Sequence, residues 1–360
     1  MGLIIFSLLL NPFKSWGKTK TDTKTIGPWT YQAPSQGAGK MLPDISVIGN
    51  MSGAYYSKDP TGETGDDPAK TGFNLTEIEV GLQSIIDPYF KGDVFLAFNT
   101  DSVGIEEGYI TTLALPKGLQ IRAGKFKLPF GRQNQKHSHT WSFADNPLVN
   151  KYLLGVEGLN EMGVEVSYLL PTPFFLQLQT TVTNGDNDAD FSGARKKDLL
   201  YQTRLSTSVD VSTNSTLLVG GSAAWGDNST GTGKLTSLYG GDMLLKWKPQ
   251  SYRSVSWQTE YLFRKRNTPL ATNNDQGFYS YVDYQFLKRW HAGLRYDEVG
   301  FLSDSISKEY RISPMLTFTP TEFSLLRLQY DDDKPTGADR VHAVFLQIQY
   351  SMGAHGAHNF

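Results

Sequence analysis

From residue 44 onward, apolar and polar side chains alternate with a period of two. In 44–55, Ile45, Val47 and Met51 share a face. In 73–86, Ile78, Val80 and Leu82 alternate with Glu77, Glu79 and Gln83, and in 89–99, Phe90, Val94, Leu96 and Phe98 stand opposite Lys91 and Asp93. A helix would scatter these residues around its axis, whereas a strand sends successive side chains to opposite faces. The alternation returns in 105–113, 119–126, 162–170, 174–184, 199–209, 215–226, 237–248, 254–265, 277–286, 290–298, 309–319, 323–331 and 341–360, which makes sixteen predicted strands. Two are less regular. The stretch 105–113 carries a Glu on both faces, and Pro314 within 309–319 predicts a bulge or bend, because proline cannot donate to a ladder.

The links alternate in length as well. Short ones fall at 87–88, 114–118, 171–173, 210–214, 249–253, 287–289 and 320–322, and longer ones at 57–72, 100–104, 127–161, 185–198, 227–236, 266–276, 299–308 and 332–340. Short turns on one side, long loops on the other and an even strand number characterise a single-chain outer-membrane barrel. Tyr89, Phe90, Phe174, Trp247, Trp290, Phe318 and Phe323 gather beside the short turns. Such a row suits a headgroup boundary, where a ring buries its body and keeps a polar edge wet. The last stretch sets Val344, Leu346, Ile348, Tyr350 and Met352 in alternate positions that continue to Phe360. It resembles the carboxy-terminal signal of bacterial outer-membrane proteins, which implies recognition by the barrel-assembly machinery through Phe360.

Composition removes alternatives. Charged residues make up 19% of the 360, with 35 Gly, 18 Tyr and 20 Phe, and the mean hydropathy is negative. A bundle of membrane helices, each needing about 20 consecutive apolar residues, is excluded, whereas a barrel hides its apolar residues in every second position. The chain has no cysteine, so disulfides, thiolate metal sites and lipid attached through cysteine are excluded. An apolar run at 3–10 precedes Ser15-Trp16-Gly17. Residues 1–17 are therefore expected to be a signal peptide or N-terminal arm, 18–43 a polar lead-in and 44–360 the barrel.

The wet face carries Glu77, Glu79, Lys91, Asp93, Arg122, Glu165, Arg204, Asp242, Lys246, Glu260, Arg264, Asp283, Arg295, Arg311 and Arg327. A Lys or Arg facing lipid at the midplane costs about 2–4 kcal/mol, so these side chains are expected to line a lumen. Both signs occur, which predicts pairing across the wall. Sixteen strands enclose an aqueous channel where about eight would be filled by their own side chains, so a wide, wet bore is expected.

The net charge is -2, yet between Lys117 and Lys151 seven cations (Lys117, Arg122, Lys125, Lys127, Arg132, Lys136, Lys151) meet one acid, Asp145. A long irregular stretch such as 127–161 is uncommon unless functional or disordered. The expected fold is an all-β, 16-stranded antiparallel transmembrane β-barrel with an inward-folded third long loop. Lys125, Lys127, Arg132 and Lys136, with Arg122, Arg204 and Arg295, are the expected constriction residues, a charged ring of the kind that biases a pore toward anions. Alternatively, the cations pair with lumen acids or with lipopolysaccharide. The architecture resembles that of bacterial porins, and Gly124-Lys125-Phe126-Lys127-Leu128-Pro129-Phe130-Gly131 resembles the strand-to-loop junction of the phosphate-selective porin O/P group. The resemblance implies a passive outer-membrane channel for small hydrophilic solutes with a basic constriction and no cofactor. Two features depart from it: no ladder of arginines runs along neighbouring strands, and the 100–104 link is too short to latch a neighbour as in general porins. The second leaves a homo-oligomer open.

Four of the six histidines form two pairs, His137 with His139 and His355 with His358. Imidazole suits zinc or copper, but a His-x-His with no carboxylate or thiol nearby in the chain is an incomplete ligand set. His137 and His139 are the metal candidates. The stretch His137-Ser138-His139-Thr140-Trp141 and the ending Ala357-His358-Asn359-Phe360 resemble uncharacterised outer-membrane proteins labelled zinc-regulated, which implies a metal-related channel or binding protein as an alternative. A non-conducting structural or adhesive barrel is another. Against an enzyme, His291 and His342 accompany no G-x-S-x-G nucleophile. Phosphate-cradling glycine loops and nucleic-acid modules are absent, and Gly220-Gly221 and Gly240-Gly241 lie inside strands, where glycine relieves crowding or aids bending.

Overall fold

The computed structural model describes residues 43–60, 64–100, 102–187, 189–192 and 198–353. The expected export segment 1–17, the lead-in to residue 42, and His355, His358 and Phe360 lie outside the described residues. The alternating stretches form β1 Asp44–Tyr56, β2 Gly72–Ile85, β3 Phe90–Phe98, β4 Val103–Thr112, β5 Leu119–Lys127, β6 Asn160–Leu169 and β7 Phe175–Thr183. After a minor hairpin, β8 Asp186–Asn187 and β9 Phe191–Ser192, follow β10 Leu200–Ser212, β11 Ser215–Asp227, β12 Leu235–Trp247, β13 Ser254–Asn267 and β14 Thr272–Leu287. The chain then runs through β15 Trp290–Val299, β16 Glu309–Thr321, β17 Ser324–Pro335 and β18 Val341–Gly353.

Apart from β8 and β9, these strands make a single 16-stranded antiparallel sheet. It closes because β1 pairs on one side with β2 (Val47 opposite Val80) and on the other with β18 (Met51 opposite Ile348). Closure removes every edge that could pair with another chain. The period of two sorts the two faces. In β17, Leu326, Leu328 and Tyr330 are exposed while Arg327, Gln329 and Asp331 are buried; in β18, Val344, Leu346 and Ile348 are exposed while Phe345 and Gln347 are buried. At a short end, Asp87 Oδ1 accepts the backbone N–H of Tyr89 and of Phe90 at 2.8 and 2.9 Å, the local bond by which an aspartate sets a turn.

The two irregular stretches resolve differently. Along β3 and β4, Phe95 faces Glu107 but Leu96 faces Ile105, so Glu106 is an extra, bulged residue. The bulge turns two successive carboxylates to the inside: Glu107 is buried, and the Glu106 side chain is only 10% exposed. In β16 no bulge falls at Pro314 itself; the register shift against β17 comes later, between Phe318 and Thr321. Ile312 faces Asp332 and Met315 faces Gln329 in one unbroken register, so Pro314 only interrupts the ladder to β17 where its N–H is missing.

The inner wall is less polar than the strand pattern predicts. Leu200, Leu238, Leu262, Tyr279, Tyr281 and Met315 are buried on the face opposite the exposed Tyr201, Tyr239, Tyr261, Val282 and Leu316. They form one cluster with Phe126, Leu128, Phe130, Phe143, Leu148, Val149, Leu153, Leu154 and Leu159. Apolar side chains of the stretch joining β5 to β6 leave water by packing against this part of the wall, so here the inner face is dry.

Candidate functional site

Residues 128–159, between β5 and β6, hold one short helix, α1 Leu148–Leu154, and one 3₁₀ turn, Ser138–Thr140. The two ends of the segment are tied by Asn134, whose Nδ2 donates to the carbonyls of Leu128 and Leu159 and whose Oδ1 accepts the Leu159 N–H at 2.8 Å. The chain turns at Gly131, where φ is +62° and a Cβ would meet Glu260 Oε2 at 2.6 Å, so glycine is required twice over. Glu260 Oε1 accepts the N–H groups of Arg132 and Gln133, both at 2.7 Å. Room for the apolar face comes from glycines on the wall: a Cβ on Gly240 would lie 3.2 Å from the Phe130 ring, and one on Gly277 2.9 Å from Val149 Cγ2.

Polar bonds then fasten the segment to the polar face of strands all round the barrel. Pro129 O accepts from Gln202 on β10, and Gly131 N–H donates to Ser222 on β11. Trp141 O accepts from Arg327 and Ala144 N–H donates to Gln329, both on β17. Leu148 N–H, at the start of α1, donates to Asp297 on β15. Asn146 N–H and Lys151 Nζ bond the two oxygens of Asp67 at 2.7 and 2.6 Å. The centre of this network is Asp145, which takes Arg295 Nη2 at 2.8 and 2.9 Å and also bonds Arg311. Burial pushes the Asp145 carboxyl up, but the Arg295 and Arg311 guanidiniums more than reverse this and hold it at about 2.

On the opposite side, His137 sits among three carboxylates. Its Nδ1 lies 2.6 Å from Glu79 Oε2 and 3.0 Å from Glu106 Oε2, and its Nε2 lies 2.8 Å from Glu107 Oε2. Burial would keep the ring neutral; the Glu106 charge and the bonds to Glu106, Glu107 and Glu79 outweigh it and hold the ring well above the usual histidine range. His139 Nδ1 is 3.5 Å from the same Glu79 oxygen. Ser138 Oγ donates to Glu77 Oε2.

No family model matches the chain. A protein of Aquifex aeolicus, described as uncharacterised, is 34% identical over 394 aligned residues, covering 92% of this chain and 82% of its own length. The chain belongs to the family of that protein, and its fold is that of the outer-membrane porins. Three solved structures carry the second statement. The anion-selective porin of Comamonas acidovorans matches with a TM-score of 0.60 at 10% identity, over 86% of this chain and 99% of that one. OmpT of Vibrio cholerae in its trimer form gives 0.59 at 10%, over 86% and 99%. The outer-membrane channel DcaP of Acinetobacter baumannii gives 0.58 at 13%, over 86% and 97%.

Within this porin fold the seven expected constriction residues separate. Arg122 pairs with Glu165 at 2.6 Å and stacks over Phe126; Lys127 pairs with Glu106 at 3.0 Å; Arg204 makes a two-pronged pair with Asp242; Arg295 is shared between Asp145 and Asp297. Each of these charges is compensated at contact distance. Lys125 stands apart, on the face of β5 opposite Phe126 and level with the exposed Met162, its Nζ on the Ile105 carbonyl. Arg132 and Lys136 are brought together and form no ion pair among the described residues; Lys136 Nζ reaches Gln258 Oε1 at 3.4 Å. Burial and the neighbouring Arg132 pull the Lys136 ammonium down to about 8. The charge of Lys246 on β12 lies in the field of both.

Sequence pattern alone does not show Asp145 as an anchor, Glu79, Glu106 and Glu107 as partners of the histidines, or Glu77 as the partner of Ser138. The expected absence of a carboxylate near His137-x-His139 is corrected: Glu79, Glu106 and Glu107 surround His137. Chain distance hid them, because β2 and β4 meet the segment only when the barrel closes. The density of Phe, Leu and Trp in a long loop was a signal that could have found the packed core, since such residues seek cover.

Proposed function

We propose that the protein is a passive channel of the bacterial outer membrane for small hydrophilic solutes, with residues 128–159 set across the bore as its constriction. The exposed apolar face of a closed sixteen-stranded sheet supports placement in lipid. Bonds from the segment to strands on all sides support a position inside the barrel rather than over its rim. Passage is then governed by width and field, with no chemistry on the solute.

The field leans toward anions, and a single observation carries that lean: of the expected cations facing the segment, only Arg132 and Lys136 lie near each other with no carboxylate at ion-pair distance from their charged ends among the described residues, Glu260 acting on Lys136 from farther off. In a narrow, low-dielectric passage, uncompensated charge acts far more strongly than paired charge. The test is the reversal potential of the purified protein in a planar bilayer under a salt gradient. An anion preference that falls or inverts in an Arg132→Glu, Lys136→Glu double variant is expected. Cation preference, or no change on that double substitution, removes the lean, and absence of unitary current steps would replace the channel by a closed, structural barrel.

A further inference from the structure

We propose that Glu79, His137 and His139, with Glu106 as fourth ligand, bind one divalent first-row transition-metal ion that fastens the constriction segment to β2 and β4. One ligand atom from each of Glu79, His137 and His139 lies within 4.8 Å of the other two, and Glu77, Glu79 and Glu106 converge in the same way. The closest approaches centre on Glu79 Oε2 and His137 Nδ1, with His139 Nδ1 and Glu106 Oε2 at 3.5 and 3.0 Å from one or the other. A tetrahedral ion held at about 2.0–2.1 Å sets its ligands about 3.4 Å apart; the 3.0 and 3.5 Å contacts lie near that spacing, and the 2.6 Å contact between Glu79 and His137 has to open for an ion to enter.

The surroundings are those of a ligand set rather than of an ordinary buried histidine. Nε2 of His137 faces Glu107, the outer carboxylate that fixes the tautomer of a metal-bound imidazole; a ring donating there presents the Nδ1 lone pair to Glu79 and Glu106. Two carboxylate oxygens facing a lone pair repel it unless a cation stands between. Four carboxylates, Glu77, Glu79, Glu106 and Glu107, gather on this side, of which Lys127 neutralises one. Glu77 Oε1 and Glu79 Oε1 are buried without a hydrogen-bond partner among the described residues, on side chains of residues 4% and 1% exposed. Two imidazoles with carboxylates select zinc and its neighbours over calcium or magnesium, which take oxygen alone. The bulge at Glu106 is what makes the set possible, since a regular strand would turn that side chain to the outer face.

The competitor for the position is a proton on His137, and the two are separable in solution without any transport assay. The detergent-purified protein, stripped with chelator, is titrated with zinc by calorimetry and with cobalt by visible absorption. One ion per chain is expected, with cobalt d–d bands that zinc abolishes. His139→Gln and Glu79→Gln should lose the site, and Glu107→Gln, which touches no ion, should weaken it about 10–100-fold. Retention of the barrel in each variant is read from its heat-dependent mobility in electrophoresis. If wild type shows no saturable uptake, or if folded His139→Gln binds as wild type does, the proton is the occupant and the proposal fails. Should the variants not fold, the wild-type stoichiometry and cobalt spectrum decide alone. A barrel that conducts nothing could still pass this test, so its outcome is independent of the channel reading.

Discussion

Asp145 and Arg295 meet at 2.8 and 2.9 Å through a single guanidinium nitrogen, and Arg295 Nη1 also donates to the Asp145 carbonyl at 3.0 Å. The pair joins the middle of the segment to β15, far along the chain from either end of the loop, and both partners are almost wholly buried. Removing one member of a buried pair costs up to about 3–5 kcal/mol when the other charge is left uncompensated. Asp145 also serves Arg311, so Asp145→Asn removes one carboxylate from two arginines at once; Arg295 keeps Asp297 and Arg311 keeps Asp333, which places the loss below that limit. The barrel ladder closes without this pair, and the loss should therefore appear as release of the segment rather than as unfolding. Hydrogen exchange and limited proteolysis of 128–159 in the variant should show lost protection while the barrel's electrophoretic mobility is kept; unchanged protection would show that Asp145 is no anchor.

The pairing of Arg204 with Asp242 gives a sharper test of how the inner wall acts on ions. The two are buried at 4% and 5% exposure and bonded through two parallel contacts at 2.6 and 2.8 Å, so together they present almost no net charge. Arg204→Ala exposes Asp242 and should move the reversal potential toward cations; Asp242→Ala should move it toward anions. The double variant should return to the wild-type value. A double variant that stays displaced in the direction of the arginine deletion would mean that Arg204 acts on solutes as a free cation.

Phe130 tests the dry core. It is fully buried, lies over Gly240 and sits in the larger of two buried clusters that the segment shares with the wall among the described residues. Truncating a buried Phe to Ala costs about 3–5 kcal/mol through lost transfer energy and the cavity left behind. Since the cluster fills space that would otherwise conduct, Phe130→Ala should raise single-channel conductance and its noise. Gly240→Ala should act oppositely on packing: the new methyl would meet Leu262 Cδ2 at 3.0 Å and crowd the same ring. Equal conductance in wild type and Phe130→Ala would place the ion path away from this cluster.

These tests bear on what was legible in the chain and what was not. The alternation of Leu346, Gln347 and Ile348 in β18, or of Leu326, Arg327 and Leu328 in β17, reports a face-to-face environment that depends only on neighbours two positions away, so strand count and closure could be read locally. Glu106 could not. Its inward turn depends on a bulge, and a bulge depends on the register of β3 against β4. Lys125 and Lys127 look alike in sequence, two positions apart at the end of β5, yet one meets a backbone carbonyl on the outer side and the other a carboxylate beside the segment. The difference arises where the strand ends and period-two logic stops applying. Likewise Pro314 was read from its missing donor alone, whereas the neighbouring strands keep one register across it. A run of cations could be counted from sequence, but whether each was compensated depended on acids from β2, β4, β6, β12 and β15, which closure alone brings near.

Acidity supplies the last prediction. The Asp145 carboxyl is held at about 2 in the docked segment, against about 3.9 for a free aspartate. Because the docked value is the lower one, docking is favoured fully above the free value and loses that support as the pH falls through the docked one, a contribution on the order of 2–3 kcal/mol. Between pH 7 and pH 4 this anchor should therefore stay charged, and the protection of 128–159 that depends on it should change little; the loss should set in as the pH falls through the free value of about 4 and be complete toward the docked value of about 2. Asp145→Asn has no such group to titrate, so the difference in protection between wild type and variant should be constant from pH 7 to pH 4 and shrink below it. The measurement is hydrogen exchange of the segment in both proteins across that range, corrected for the intrinsic pH dependence of exchange. A difference that already collapses near pH 5 would show that the arginines do not hold the carboxylate, and that the segment is kept in place by its apolar contacts instead.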